Sequence, residues 1–152
     1  MERPRRTTPT TGLTLRIFEG NLFSVHSVNS DRELVFRDRD GERFTVELKG
    51  SELFATVDVW LHPVANDLHI FFQELASFTN AWQGARAWES LEGELSLSAT
   101  CSTLGQVTFS VKLSHRAGSP EDWEVRARLV TELGQLEKIA KEAKTFFRVE
   151  SA

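Results

Sequence analysis

Residues 95–113 read LSLSATCSTLGQVTFSVKL, and this stretch decides the class of fold. Leu95, Leu97, Ala99 and Cys101 alternate with Ser96, Ser98 and Thr100. After a turn at 102–105, Val107, Phe109, Val111 and Leu113 alternate with Thr108, Ser110 and Lys112. Successive side chains of an extended chain point to opposite faces, so a period of two predicts strands with one apolar and one wet face. A loop at Ala117-Gly118-Ser119-Pro120 follows, and the alternation then returns, with Trp123, Val125, Ala127 and Leu129 against Glu124, Arg126 and Arg128. Three such strands in a row predict an antiparallel meander.

The same period runs through the upstream half. Leu13, Leu15 and Ile17 alternate with Thr14 and Arg16, and a weaker strand spans 22–28. Leu34 and Phe36 share one face, with Val35 and Arg37 on the other. Asp40-Gly41 reads as the centre of a tight hairpin, because both residues tolerate positive φ. It leads into a strand with Phe44, Val46 and Leu48 inward. After Gly50-Ser51, Ala55, Val57, Val59 and Leu61 form the next apolar face.

Two stretches switch to the helical period. Beyond Pro63, with Asn66 or Asp67 as N-cap, the residues Val64, Leu68, Phe71, Leu75, Phe78 and Trp82 draw one apolar stripe, widened by Ile70 and Phe72. This predicts a helix of about five turns, followed by a loop over 83–92. A second helix is expected from Thr131 as N-cap, with Leu136, Ile139, Ala140, Ala143 and Phe146 or Phe147 inward. The expected fold is therefore α+β: antiparallel β-meanders with two amphipathic helices. Shifting the chain by 68 positions places Val57 on Val125, Leu61 on Leu129, Leu68 on Leu136 and Phe78 on Phe146, which suggests an internal repeat of a meander closed by a helix. Residues 12–150 are expected to form a single domain, preceded by a disordered basic tail over 1–11.

The formal net charge is -4, while the tail alone carries Arg3, Arg5 and Arg6 against Glu2. Phosphate binding needs clustered cations, and here bases are scattered among acids, so no nucleic-acid partner is expected. Net charge alone suits a basic partner. No apolar run is long enough to span a membrane, and the first eleven residues have no apolar core, so a cytoplasmic protein is expected.

Chemistry-bearing motifs are sparse. There is no phosphate-binding glycine loop and no nucleophile elbow. Asp38-Arg39-Asp40-Gly41 looks faintly like a calcium loop, but Lys49 lies where the bidentate acid belongs, and a hairpin explains it better. His26, His62, His69 and His115 lack partners at metal spacing and read as surface residues, and Cys101 reads as a small buried hydrophobe. No metal, no cofactor and no catalytic residue is expected.

Three places remain as recognition candidates. The segment 82–93 carries Trp82, Gly84, Arg86, Trp88, Glu89 and Glu92. Its indoles suit pinning a crossover to the core, and its Trp and Arg also suit a binding hot spot. On an earlier strand Phe54 and Trp60 share the face opposite the core with Thr56 and Asp58, so that face is either covered or binds something. The third is the wet face of the meander: Ser96, Ser98, Thr100, Thr108, Ser110 and Lys112 beside Glu124, Arg126 and Arg128. In most sheets such a face is plain solvated surface. The partner-binding residues expected are Arg86, Trp88, Glu89, Glu92, Phe54 and Trp60.

Trp82-x-Gly84-x-x-x-Trp88-x-Ser90-x-Glu92-x-x-Leu95-x-Leu97-x-Ala99, followed by Gly105-x-Val107, Trp123-x-Val125 and Leu133-Gly134-Gln135-Leu136, resembles a family of small bacterial proteins, the domain-of-unknown-function family numbered six-two-two-eight. The resemblance spans about residues 54–147, with a looser match upstream. It implies a bacterial cytoplasmic protein and transfers no catalytic residue. By analogy of size and type, the expected function is a non-enzymatic protein-interaction module, such as an immunity-like or accessory protein of a bacterial toxin system. The alternative is a small-molecule binding domain with an apolar pocket between sheet and helices, lined by Phe71, Phe72, Phe78, Phe109 and Trp123.

Overall fold

The computed structural model describes residues 22–61 and 67–148. The expected strand at Leu13, Leu15 and Ile17, the expected basic tail, and His62, Pro63, Val64 and Asn66 lie outside the described residues. Within them, β1 (Leu22–His26), β2 (Glu33–Asp40), β3 (Arg43–Lys49) and β4 (Phe54–Trp60) form one antiparallel meander, and α1 (Leu68–Ala76) follows. A second meander, β5 (Arg86–Glu89), β6 (Leu95–Cys101), β7 (Gln106–His115) and β8 (Trp123–Glu132), is followed by a 3-10 turn (Leu133–Gln135) and α2 (Leu136–Phe147). The same order of elements thus occurs twice. The shift of 68 lays Leu68, the first residue of α1, on Leu136, the first residue of α2.

The alternation read from the sequence sets which side of each sheet is inward. Phe23, Phe36, Val46 and Val57 stand in one row across the first sheet, and all are buried. Leu97, Val111 and Ala127 form the matching row in the second. The sheets remain separate, and phenylalanine rings fill the space between their inner faces and the helices. Phe23 stacks on Phe36 at 4.4 Å between ring centres. Phe147 of α2 meets Phe44 edge-on at 5.3 Å. Phe72 of α1 meets Phe23 and Phe36 edge-on and reaches Phe109 of the second sheet at 6.3 Å. It therefore joins both layers into one core.

Several local expectations are corrected. The first helix has nine residues rather than five turns. The Ser77 hydroxyl donates to the Glu74 carbonyl at 2.6 Å, and Thr79 and Asn80 are weak helix formers, so the helix stops there. Phe78 and Trp82 still come together at 5.0 Å, but through a turn rather than along a helix. Ile70 is exposed, because the stripe of a short helix covers only Leu68, Phe71, Phe72 and Leu75. The expected loop over 83–92 contains β5, which completes the second sheet at its edge.

Thr131 is not an N-cap. It pairs with Val107 inside β8, since the strand continues as long as β7 offers backbone partners. The first hairpin pairs Asp40 with Arg43, so its central residues are Gly41 and Glu42; Gly41 supplies the positive φ of +64° at the first of them. Val35, read as outward, is buried as well, in register between Ser24 and Glu47 of the neighbouring strands. Cys101 is only half-buried.

His69 is also not a surface histidine. It is half-buried on α1, and its Nδ1 is shielded from water without a hydrogen-bond partner. Burial lowers its pKa from the ordinary 6.5; the nearby carboxylate of Asp67 raises it and the ammonium of Lys144 lowers it further. A folded-state pKa below the unfolded one means that the unfolded chain takes up the proton first. Stability contributed by the neutral ring is present above about pH 6.5 and is lost as the pH falls toward the folded-state value. Urea midpoints are expected to drop between pH 7 and pH 5, and the drop should be smaller in His69→Gln. Parallel curves for the two proteins would assign the acid sensitivity elsewhere.

Among the described residues, no helix is long and apolar enough to cross a membrane.

Candidate functional site

The outer faces of the two sheets differ in how their charges are used. On the first, Arg37 donates to Glu47 at 2.6 Å and also to Asp38, and Thr45 donates to Asp58 at 2.7 Å. The Glu47 carboxylate holds the Arg37 guanidinium above its already high ordinary pKa. The polar groups of that face largely satisfy one another.

On the second sheet, strand register builds two parallel rows. Glu89, Ser96, Lys112 and Arg126 form one, and Ala87, Ser98, Ser110 and Arg128 the other. Short half-buried serines make the floor and long cations rise beside them. The result is an open groove of about 800 Å³. Its far wall comes from the other half of the chain. The Val28 N–H donates to the Val130 carbonyl at 2.7 Å, and the Val130 N–H donates to the Ser27 hydroxyl at 3.2 Å. Arg32 then reaches over β8 and donates to the Arg128 carbonyl at 3.0 Å.

Among the described residues four cations line the groove, Arg32, Lys112, Arg126 and Arg128, against the one carboxylate of Glu89, and Arg32 also pairs with Glu52 at 3.7 Å. Arg126 is shared with Glu124 at 2.5 Å, and this bond holds the Glu124 carboxyl below its usual range. Among the described residues neither Lys112 nor Arg128 has a carboxylate within ion-pairing distance. Hydroxyl, ammonium and guanidinium donors around a half-buried floor suit carboxylate or phosphate oxygens.

The six residues expected to bind a partner do not gather into one site. Arg86 points to the inner side of its strand, pairs with Glu74 at 3.0 Å and lies over the Phe78 ring at 5.1 Å. Trp88 is half-buried and donates to Asp67 at 2.7 Å, tying β5 to the start of α1. Trp82 is buried and donates to the Ala99 carbonyl at 3.2 Å. The Ser90 hydroxyl donates to Glu94 and accepts from the Leu95 N–H, closing the turn into β6. These residues of the Trp-rich segment hold the fold together.

Glu89 lines the groove, and so does Trp88 beside it. Glu92 is exposed in an adjoining cleft of about 460 Å³ that shares Glu89 and Lys112 and also holds Asp122 and Glu124. Phe54 is 63% exposed on the first sheet. At the other end of the same strand, the Trp60 indole donates to Glu42 at 3.3 Å.

The groove cations Lys112, Arg126 and Arg128 were legible as one outward face. That Lys112 and Arg128 lack an acidic partner among the described residues was not, and nothing in the sequence signals Arg32, whose place depends on a loop of the first sheet crossing the edge of the second.

Among the described residues, no group of three or more His, Cys, Asp and Glu side chains is placed to hold a metal ion. No curated protein and no solved structure matches the chain. A family model does, and its match runs upstream through the first sheet as well as the Trp-rich segment. Residues 25–150 match the Family of unknown function (DUF6228), and the chain belongs to that family.

Proposed function

We propose that this domain is a non-enzymatic recognition module that holds a protein partner in the outer groove of its second sheet. The observation that carries the reading is the pair of register rows that sets Lys112 and Arg128, neither with a carboxylate at ion-pairing distance among the described residues, and the Glu124-bonded Arg126 around a serine floor, on a chain of net charge -4. Net charge alone pointed to a basic partner, whereas the local field of the groove has the opposite sign and favours acidic groups. The lining offers hydroxyls, cations and one carboxylate, donors that suit the binding of acidic groups. The setting proposed for the domain is that of a bacterial cytoplasmic accessory or immunity-like protein.

Photo-crosslinking in cells that naturally make the protein tests this reading. With p-benzoylphenylalanine at Ser98, a discrete crosslinked protein is expected, and it should disappear when Lys112→Glu and Arg128→Glu are added. The same probe at Thr56, on the outer face of the first sheet, should not trap it. Equal trapping at both positions, or trapping indifferent to the charge reversals, would place the interface elsewhere.

A further inference from the structure

Resting on that reading, we infer that the groove takes an extended acidic segment of the partner, laid parallel to β8, with carboxylates at alternate positions. Arg126 and Arg128 stand two residues apart on one strand, so they repeat at about 7 Å. Alternate side chains of an extended peptide repeat at the same distance, whereas carboxylates four residues apart become neighbours only on a helix. Lys112 lies beside Arg126 in its row, and Ser98 and Ser110 lie beside Arg128 in the next. One carboxylate would thus meet Lys112 beside Arg126, whose own guanidinium is shared with Glu124, and the next would meet Arg128 with a serine at its side.

The field is also polar across the groove. Glu89 closes the row on the β5 side, and Glu92, Asp122 and Glu124 line the adjoining cleft, with Glu124 on β8 itself, two residues before Arg126. The carboxylates of the segment therefore belong over Lys112 and Arg128, with neutral or basic groups toward Glu89 on β5 and toward Glu124 at the start of β8. A single-stranded nucleic acid would supply anions at a comparable spacing, but such ligands are held largely by base stacking on exposed rings. The ring nearest the groove, Trp88, is turned inward and bonded to Asp67.

The test is fluorescence anisotropy at low salt with the whole chain. One labelled peptide carries three glutamates at every second position; a control carries them at every fourth. The alternating peptide is expected to bind up to about fivefold more tightly than the control, the difference of one exposed ion pair. Lys112→Glu with Arg128→Glu should weaken it by about thirtyfold, and Glu89→Lys should tighten it about threefold. Equal binding of the two peptides, or a Glu89→Lys variant that binds more weakly, would overturn the inference. So would an oligouridine that binds more tightly than the peptide and is weakened by the same reversals. If crosslinking from Ser98 remains charge-dependent while the alternating peptide shows no preference, the extended acidic segment is wrong and the groove still stands as the interface. If Ser98 traps nothing, the interface itself falls.

Discussion

Phe72→Ala is expected to cost the fold about 4 kcal/mol, the scale for truncating a buried phenylalanine. Phe72 is almost wholly buried and its ring touches Phe23 and Phe36 on one sheet, Phe71 on its own helix and Phe109 on the other sheet. Deleting it leaves a void between two layers that cannot both move inward, because each is held by its own strand ladder. Domains of this size are typically stable by about 5–15 kcal/mol, so the variant should unfold at a much lower urea concentration. Ile70, two residues earlier on the same helix, is exposed, and Ile70→Ala should change stability by no more than about 0.5 kcal/mol. Equal losses for the two variants would show that α1 does not bury the face described.

Trp82→Ala should be nearly as severe, about 3–5 kcal/mol. The indole is buried, packs beside Phe78, and donates to the Ala99 carbonyl within the second sheet. Trp88→Phe keeps most of its ring and removes the bond to Asp67, so a loss of about 1 kcal/mol is expected. Urea midpoints of the two variants measure the difference. Neither change touches Lys112, Arg126 or Arg128, so Trp88→Phe should leave crosslinking from Ser98 intact. Loss of crosslinking in a folded Trp88→Phe protein would return the Trp-rich segment to the interface.

These outcomes bear on how the fold and the groove are encoded. Alternation around residues 95–129 was enough to place strands and their apolar sides, because a packed sheet must bury one face and wet the other. The helical period located both helices for the same reason, although it overran the first. Phe78 and Trp82 kept the spacing of a helix while the hydroxyl of Ser77 and the residues after it ended one. Arg86, Trp88 and Phe54 have the composition of a binding hot spot, yet the structure does not bring them together: Arg86 pairs with Glu74, Trp88 bonds to Asp67 while lining the groove, and Phe54 stands on a different sheet.

The sequence by itself determined the strands, the inward faces and the outward serines and cations of the second meander, since each depends on neighbours one to four residues away. Tertiary structure alone decided that the halves build two sheets rather than one, that β5 completes the second, and that Arg32 walls its groove. It also decided which charges are left unpaired: an ion pair depends on what the rest of the chain brings within a few ångströms, and no local pattern records that distance.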